Sequence, residues 1–234
     1  MRTGKKLISI LLILLMGVFL FAGCGKKEPE DTTLEGTWRV IKEIEQSIYK
    51  EKGEDGEPII IEEDESIIEY PVPMEIEGDG YNIAGTSFFY FKFDKNNIYQ
   101  EYLSIKIEGY VSPQLKAEYP IIDELLEGLI LKWPYEAEYS ATENKILITI
   151  TYYDEEEDEQ YIYEEEYSYV IDGKKMIMTQ VDIDDECWDE DGQYWEDRET
   201  IELVKVNNSA VAGAKNLNDY DESEFPPFLF GGEN

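Results

Sequence analysis

Between Thr86 and Val206 apolar and polar residues alternate in run after run, and each run closes on a turn signal. Thr86-Ser87-Phe88-Phe89-Tyr90-Phe91-Lys92-Phe93 passes through Asp94-Lys95-Asn96-Asn97 into Ile98 to Ile107. Tyr135 to Ala141 leads through Glu143-Asn144 into Lys145 to Tyr153, and an acidic loop from Asp154 to Glu159 follows. Tyr161 to Ile171 then turns at Asp172-Gly173 into Lys174 to Val181. Asp191-Gly192 marks another turn, flanked by Cys187-Trp188 and Tyr194-Trp195, and Thr200 to Val206 is the last run. Period two gives a segment one core face and one water face, and aromatic and β-branched side chains suit that pleated surface. Asn, Asp and Gly between the runs supply the backbone conformations that hairpin turns require. The pattern predicts an all-β chain of eight or nine strands with meander connections. An antiparallel up-and-down β-barrel is the leading architecture, because closure removes exposed strand edges. A β-sandwich is the alternative that period alone does not separate.

One segment departs from this rule. Ile121, Ile122, Leu125, Leu126, Leu129, Ile130 and Trp133 recur at helical spacing. Pro120 suits a helix start, Asp123 and Glu124 suit its positive end, and Pro134 stops it. A single inserted helix over 120–133 is therefore expected, packed on the barrel wall or over one mouth. A second membrane contact is the weaker reading for so short a segment in so anionic a chain. Pro71 and Pro73 confine Ile67 to Ile76 to an edge or irregular strand. Residues 45–66 read as a long acidic loop with an edge strand near Pro58 to Ile61. In the opening run, Trp38, Val40 and Ile44 share one face, interrupted by Lys42, while Arg39 and Glu43 face the other way.

The N-terminus carries an address. Arg2, Lys5 and Lys6 precede an uncharged apolar stretch, Leu7 to Phe21, and Ala22-Gly23-Cys24 ends it. This ending resembles the lipobox of bacterial lipoproteins, with Phe21 where that family usually has Leu. The resemblance implies cleavage before Cys24, lipidation of its sulfur, and a lipid-anchored location on the outer side of the cell membrane. An uncleaved anchor is disfavoured, because Leu7 to Gly23 is short of the roughly 20 residues that span a bilayer. Residues 24–33 are a polar tether without apolar period. Just behind it, Gly36 and Trp38 resemble the Gly-x-Trp that opens the first strand of lipocalin-like proteins. That resemblance covers roughly residues 34–206. It implies that Trp38 plugs the closed end of the barrel, a structural role, and that the open mouth takes a small apolar molecule. The chain then divides into a signal (1–23), the tether, the barrel domain (34–206) and a mobile tail (207–234). The tail's patch from Phe225 to Phe230 is expected to fold back onto the barrel.

Composition narrows the chemistry. The net charge is −34, and losing Arg2, Lys5 and Lys6 with the signal makes it −37. Such a charge repels nucleic acid and favours cations and basic partners. Hydrophobic residues still make up 42% of the chain, with 18 Tyr and 9 Phe among them, so a core has its material. No histidine is present, which removes the usual metal ligand and general base and every Ser-His or Cys-His nucleophile. With Cys24 lipidated, Cys187 is the only thiol, and no internal disulfide forms. A calcium loop centred on Gly192 fails, because Cys187 and Arg198 fall at its first and twelfth places, where acids are required. Ser47-Ile48-Tyr49-Lys50 lacks the companion motifs of penicillin-interacting enzymes. No phosphate-binding loop appears either. The expectation is a non-catalytic protein without cofactor or metal.

For the pocket, two aromatic rows stand out. Phe89, Phe91 and Phe93 alternate on one strand, and Tyr161, Tyr163, Tyr167 and Tyr169 on another. If Glu and Asp supply the water face, these rings point inward. They then either line a pocket for an apolar ligand with one polar end, or simply fill the ring. The alternative function is an acidic scaffold with a filled barrel that engages a basic envelope protein. The anchoring expectation has a direct test. Cys24→Ser should abolish incorporation of labelled fatty acid and leave an unprocessed precursor by mass spectrometry. A parent chain that carries no lipid would refute the address.

Overall fold

The computed structural model describes residues 33–52, 58–154, 159–183, 193–226 and 229. The signal, Cys24, most of the tether, Cys187 and the Asp191-Gly192 turn lie outside the described residues.

The described chain is all-β with few helices. Its strands are β1 (Gly36–Lys52), β2 (Pro58–Glu69), β3 (Val72–Gly78), β4 (Tyr81–Phe93), β5 (Ile98–Val111), β6 (Leu129–Lys132), β7 (Glu136–Ala141), β8 (Lys145–Asp154), β9 (Glu159–Asp172), β10 (Lys175–Ile183), β11 (Gln193–Val206) and β12 (Lys215–Asn216). Eight of them form a ring in chain order, β1-β4-β5-β7-β8-β9-β10-β11, with β11 returning to β1. Every pairing in the ring is antiparallel, as an up-and-down meander requires. The ring is uneven. β4 and β5 are in register from Tyr81↔Val111 to Phe93↔Tyr99, whereas β1 meets β4 only from Gly36↔Phe93 to Arg39↔Tyr90. β5 meets β7 only at Ile98↔Glu138 and Tyr99↔Ala137. The sheet as a whole is mixed, because β12 runs parallel to β6 outside the ring.

A β-bulge in β1 decides what the ring encloses. Val40 pairs with Leu203, but Lys42 pairs with Glu202 and Glu43 with Ile201, so Ile41 is the extra residue. An extra residue reverses which face each later side chain takes. Trp38 and Val40 face inward before it, and Glu43 faces inward after it. The sequence pattern put Ile44 with Trp38 and Glu43 opposite; the bulge exchanges them. Beyond it β1 leaves β4 and pairs with β2, from Lys42↔Glu69 to Lys52↔Pro58. The 45–66 stretch, expected as a loop with an edge strand near Pro58 to Ile61, is thus paired strand over its described residues, with β2 exposed along its whole length.

The expected helix over 120–133 is instead two short helices and a strand. α1 (Pro113–Glu118) starts on Ser112, whose hydroxyl accepts from the Leu115 N–H at 3.3 Å. α2 (Ile121–Glu127) buries Ile121, Ile122 and Leu125. Gly128, at φ 102°, ends it in a conformation that only glycine adopts freely. Leu129 to Lys132 then become β6, because Leu103↔Leu131 and Ile105↔Leu129 hold them against β5. After β11 the chain lies against this region. Lys215 and Tyr220 both reach the Glu124 carboxylate at 2.7 Å, and Phe225 is buried.

Two cores share one face of the long β4–β5 hairpin. Inside the ring, Trp38, Phe93, Ile146, Ile148, Met176, Met178 and Leu203 pack together. Past the ring, Ile83, Ile107, Ile122, Leu125 and Phe225 form the second core under α2 and the tail. Trp38 is fully buried; its indole N–H donates to the Leu34 carbonyl at 2.7 Å, and the Lys205 ammonium lies 5.2 Å from its ring. Trp38→Ala removes that volume and leaves the Leu34 acceptor unpaired. It should lower unfolding free energy by about 3–5 kcal/mol, read from urea denaturation. A variant as stable as the parent would show that the ring core does not depend on this indole.

A carboxylate-lined cavity within the strand ring

The inward side chains change character along the ring. At one end they are Trp38, Phe93, Tyr139 and Leu203, all buried. Towards the other, register replaces apolar residues with acids. On β11 the inward series runs Leu203, Ile201, Glu199, Asp197, and on β10 beside it Met176, Met178, Gln180, Asp182. Where β1 parts from β4, a cavity of about 510 Å³ opens. Val40, Phe89, Phe91, Tyr167 and Ile201 form apolar and aromatic wall, and Glu43, Glu101, Glu165 and Glu199 bring four carboxylates to the same space. Its described lining contains no lysine or arginine.

Tyrosines hold these carboxylates. Tyr70, on the connection from β2 to β3, donates from its hydroxyl to Glu43 at 3.0 Å. Its backbone N–H donates to the carbonyl of Ile41, the bulged residue, at 3.0 Å, so one irregularity positions both partners. Tyr99 donates to Glu101 at 2.6 Å, and Tyr135 hydrogen-bonds the same carboxylate. Tyr167 stands between Glu165 at 3.3 Å and Glu199 at 3.2 Å. All four phenols are pushed above their ordinary value, first by burial and then by the neighbouring acids, so they remain neutral donors. Neutral donors orient a carboxylate without cancelling its charge. Burial pushes the Glu199 carboxyl up to about 7, and the negative charge of Glu43 adds to that, against the pull of the Tyr167 hydroxyl. Glu165 is raised too, by burial first. Among the described residues no group of three or more Asp, Glu or Cys is placed to hold a metal ion.

Of the residues singled out from sequence, Phe89, Phe91 and Tyr167 line this cavity. Tyr169 packs against the ring core and donates from its hydroxyl to the Thr142 carbonyl at 2.8 Å. Tyr161 is half-buried further along β9, and Tyr163 is 52% exposed. Gly36 starts β1 beside Phe93, with Trp38 two residues on. The four acids were not singled out. Period two could have found three of them: Glu165 shares the parity of Tyr163 and Tyr167, Glu101 that of Tyr99, and Glu199 that of Ile201. Glu43 is found only through the bulge.

No protein-family model matches the chain, and a search of curated proteins returns no match. The cavity therefore has to be read from its own chemistry.

Glu199 gives the electrostatics a measurable sign. Its folded value of about 7 stands above the ordinary 4.5, so the folded state holds this proton more tightly than the unfolded one. Its contribution to stability is complete below about pH 4.5 and is lost as pH rises through about 7. Glu199→Gln cannot ionise. It should be more stable than the parent at pH 8, on the order of 1 kcal/mol after solvent screening of a partly exposed group, and equal to it near pH 4.5. Thermal melts of both proteins at the two pH values test this; a variant less stable at pH 8 would contradict it.

Proposed function

We propose that this chain is a lipid-anchored, extracytoplasmic binding protein, and that the ring cavity holds a small organic cation with an apolar or aromatic body. The observation that carries the reading is the pairing of four carboxylates with aromatic wall in one cavity whose described lining supplies no positive charge. A ligand ammonium would provide the missing countercharge, while Phe89, Phe91 and Tyr167 would contact the body and offer ring faces to the cation. The sequence led to an apolar ligand with one polar end; the inward acids make that end cationic. Binding without transformation is the function proposed. The resemblance of Gly36 and Trp38 to the first strand of lipocalin-like proteins, whose open mouth takes a small apolar molecule, supports the binding reading.

A scaffold role towards a basic envelope protein draws on β2 instead. That strand pairs only with β1 among the described residues, and Ile59, Ile60 and Ile61 are exposed beside Glu62, Glu63 and Asp64. Unprotected strand edges of this kind accept a further strand.

Tryptamine and indole-3-acetate share a ring and differ in the sign of their charge, so calorimetric titration with both separates the readings. Tryptamine should bind saturably at one site per chain, and indole-3-acetate at least tenfold more weakly. The double change Glu165→Gln and Glu199→Gln should weaken tryptamine by about tenfold or more, the equivalent of 1.4 kcal/mol. Affinity should rise between pH 6 and pH 8 as Glu199 ionises. Equal binding of the two compounds, or none by a folded protein, would remove the cavity reading and leave the β2 surface.

A further inference from the structure

β2 hangs on one neighbour. Among the described residues it pairs only with β1, and none of its 12 residues is buried. Its far edge therefore presents backbone N–H and carbonyl groups that no strand takes up. Ile59, Ile60, Ile61 and Ile67 each keep 49% or more of their surface exposed, and Ile68 keeps 36%. Single exposed apolar residues are ordinary, but isoleucines gathered at both ends of one strand mark a surface that another molecule covers.

Between the isoleucines stand consecutive acids, Glu62-Glu63-Asp64-Glu65. Alternation along the strand sends acids to both of its faces. Their partners on β1 are Tyr49, Ile48, Ser47 and Gln46, so the neighbouring strand brings no cation. Gln46 donates to Glu65 at 3.0 Å, whereas Glu62, Glu63 and Asp64 have no ion pair among the described residues. Lys50, the next cation along β1, is bound to Glu196. The acid block lies at the centre of β2, and its place excludes a second copy of the chain. Two such strands paired over their full length, parallel or antiparallel, would set acids against acids, and like charges directly opposite are destabilising.

We propose that β2 is the docking edge for an extended segment of another protein, basic at its centre and apolar at both ends, which adds to the sheet as a further strand. This rests on the β2 surface described above and is independent of the ring cavity. Main-chain hydrogen bonds to the free edge supply attachment, and the side chains supply selection. Because the acids occupy both faces, the partner brings adjacent basic residues rather than basic residues at every second place. The pattern is nearly symmetric about Glu63 and Asp64, so it fixes the composition of the partner and not its direction. Charged residues commonly guard a strand edge. These guard it against the chain's own copies and leave it open to a basic strand.

Calorimetric titration of the full chain in detergent micelles with designed peptides tests this. The peptide VTVKRKRVTV should bind at one site per chain, and VTVSTSTVTV, with the same ends and a neutral centre, about tenfold more weakly. Two forms of the basic peptide, N-methylated at odd or at even positions, carry the same charge. Only the form whose methyl groups point away from β2 should bind, because alternate residues of a strand direct their N–H groups to opposite edges. Changing Glu63→Lys and Asp64→Lys together should weaken the basic peptide by about tenfold or more, with the circular dichroism of the parent retained. Should that variant fail to fold, the two methylated peptides on the parent decide. Equal binding of the neutral peptide overturns the basic partner and keeps the β2 surface. Equal binding of both methylated forms shows charge attraction without strand addition and overturns the proposal. So does a parent that sediments as a dimer and becomes a monomer with Ile60→Lys, which makes a second copy the occupant. Binding of no peptide removes the β2 surface along with the proposal.

Discussion

The open side of this ring depends on a single extra residue in β1. Ile41 interrupts the pairing with β11, and from that point the strand presents its other face to the interior. Glu43 enters the ring, the carbonyl of Ile41 takes the Tyr70 N–H, and the Tyr70 hydroxyl reaches back to Glu43. At the same place β1 gives up β4 and takes β2, which opens the side of the ring where the cavity lies. Bulges re-aim side chains and end pairings. Here both effects fall on one site.

The acids so gathered stand among tyrosines, and that choice has consequences. A carboxylate paired with lysine or arginine forms a closed ion pair, as Lys50, Glu196 and Arg198 do elsewhere on the β1–β11 pair. A carboxylate held by a phenol keeps its charge available. Burial raises the pKa of Glu199 and Glu165 against the pull of the Tyr167 hydroxyl, whereas Glu196, with two cations beside it, is lowered despite its burial. The fold therefore carries two kinds of acid, one buried and neutralised for structure and one partly buried and left unneutralised at a cost in stability. The second kind is what a binding site for cations requires.

The long β4–β5 hairpin joins the two cores to one frame. Its inward face supplies Phe93, Phe91 and Phe89 to the ring, then Ile83 to the second core, without a break in period. Beyond the ring the hairpin's apolar face would be open to water. The two helices, β6 and the C-terminal segment cover it, and Glu124 pins that segment through Lys215 and Tyr220. The covering is incomplete at Phe89 and Trp133, where a smaller cavity remains.

The sequence by itself determined most strands of the ring, because period two and turn residues are local properties. Aromatic alternation in β4 and β9, Asp94 to Asn97, Asp172-Gly173 and the two prolines near β3 each carry their own physical reason. It also determined that many carboxylates and no histidine would be present, and hence which chemistries were closed. Tertiary structure decided the rest. The helical period of 120–133 was real as far as Glu127, but Gly128 and pairing with β5 turned the remainder into β6; no local preference weighs against a sheet edge that needs a partner. Phe89, Phe91 and Tyr167 were legible as inward because aromatic side chains leave water. The acids were harder to place, because solvation favours the outer face: Glu101, Glu165 and Glu199 shared the parity of inward neighbours, and only the extra residue at Ile41 brings Glu43 inside.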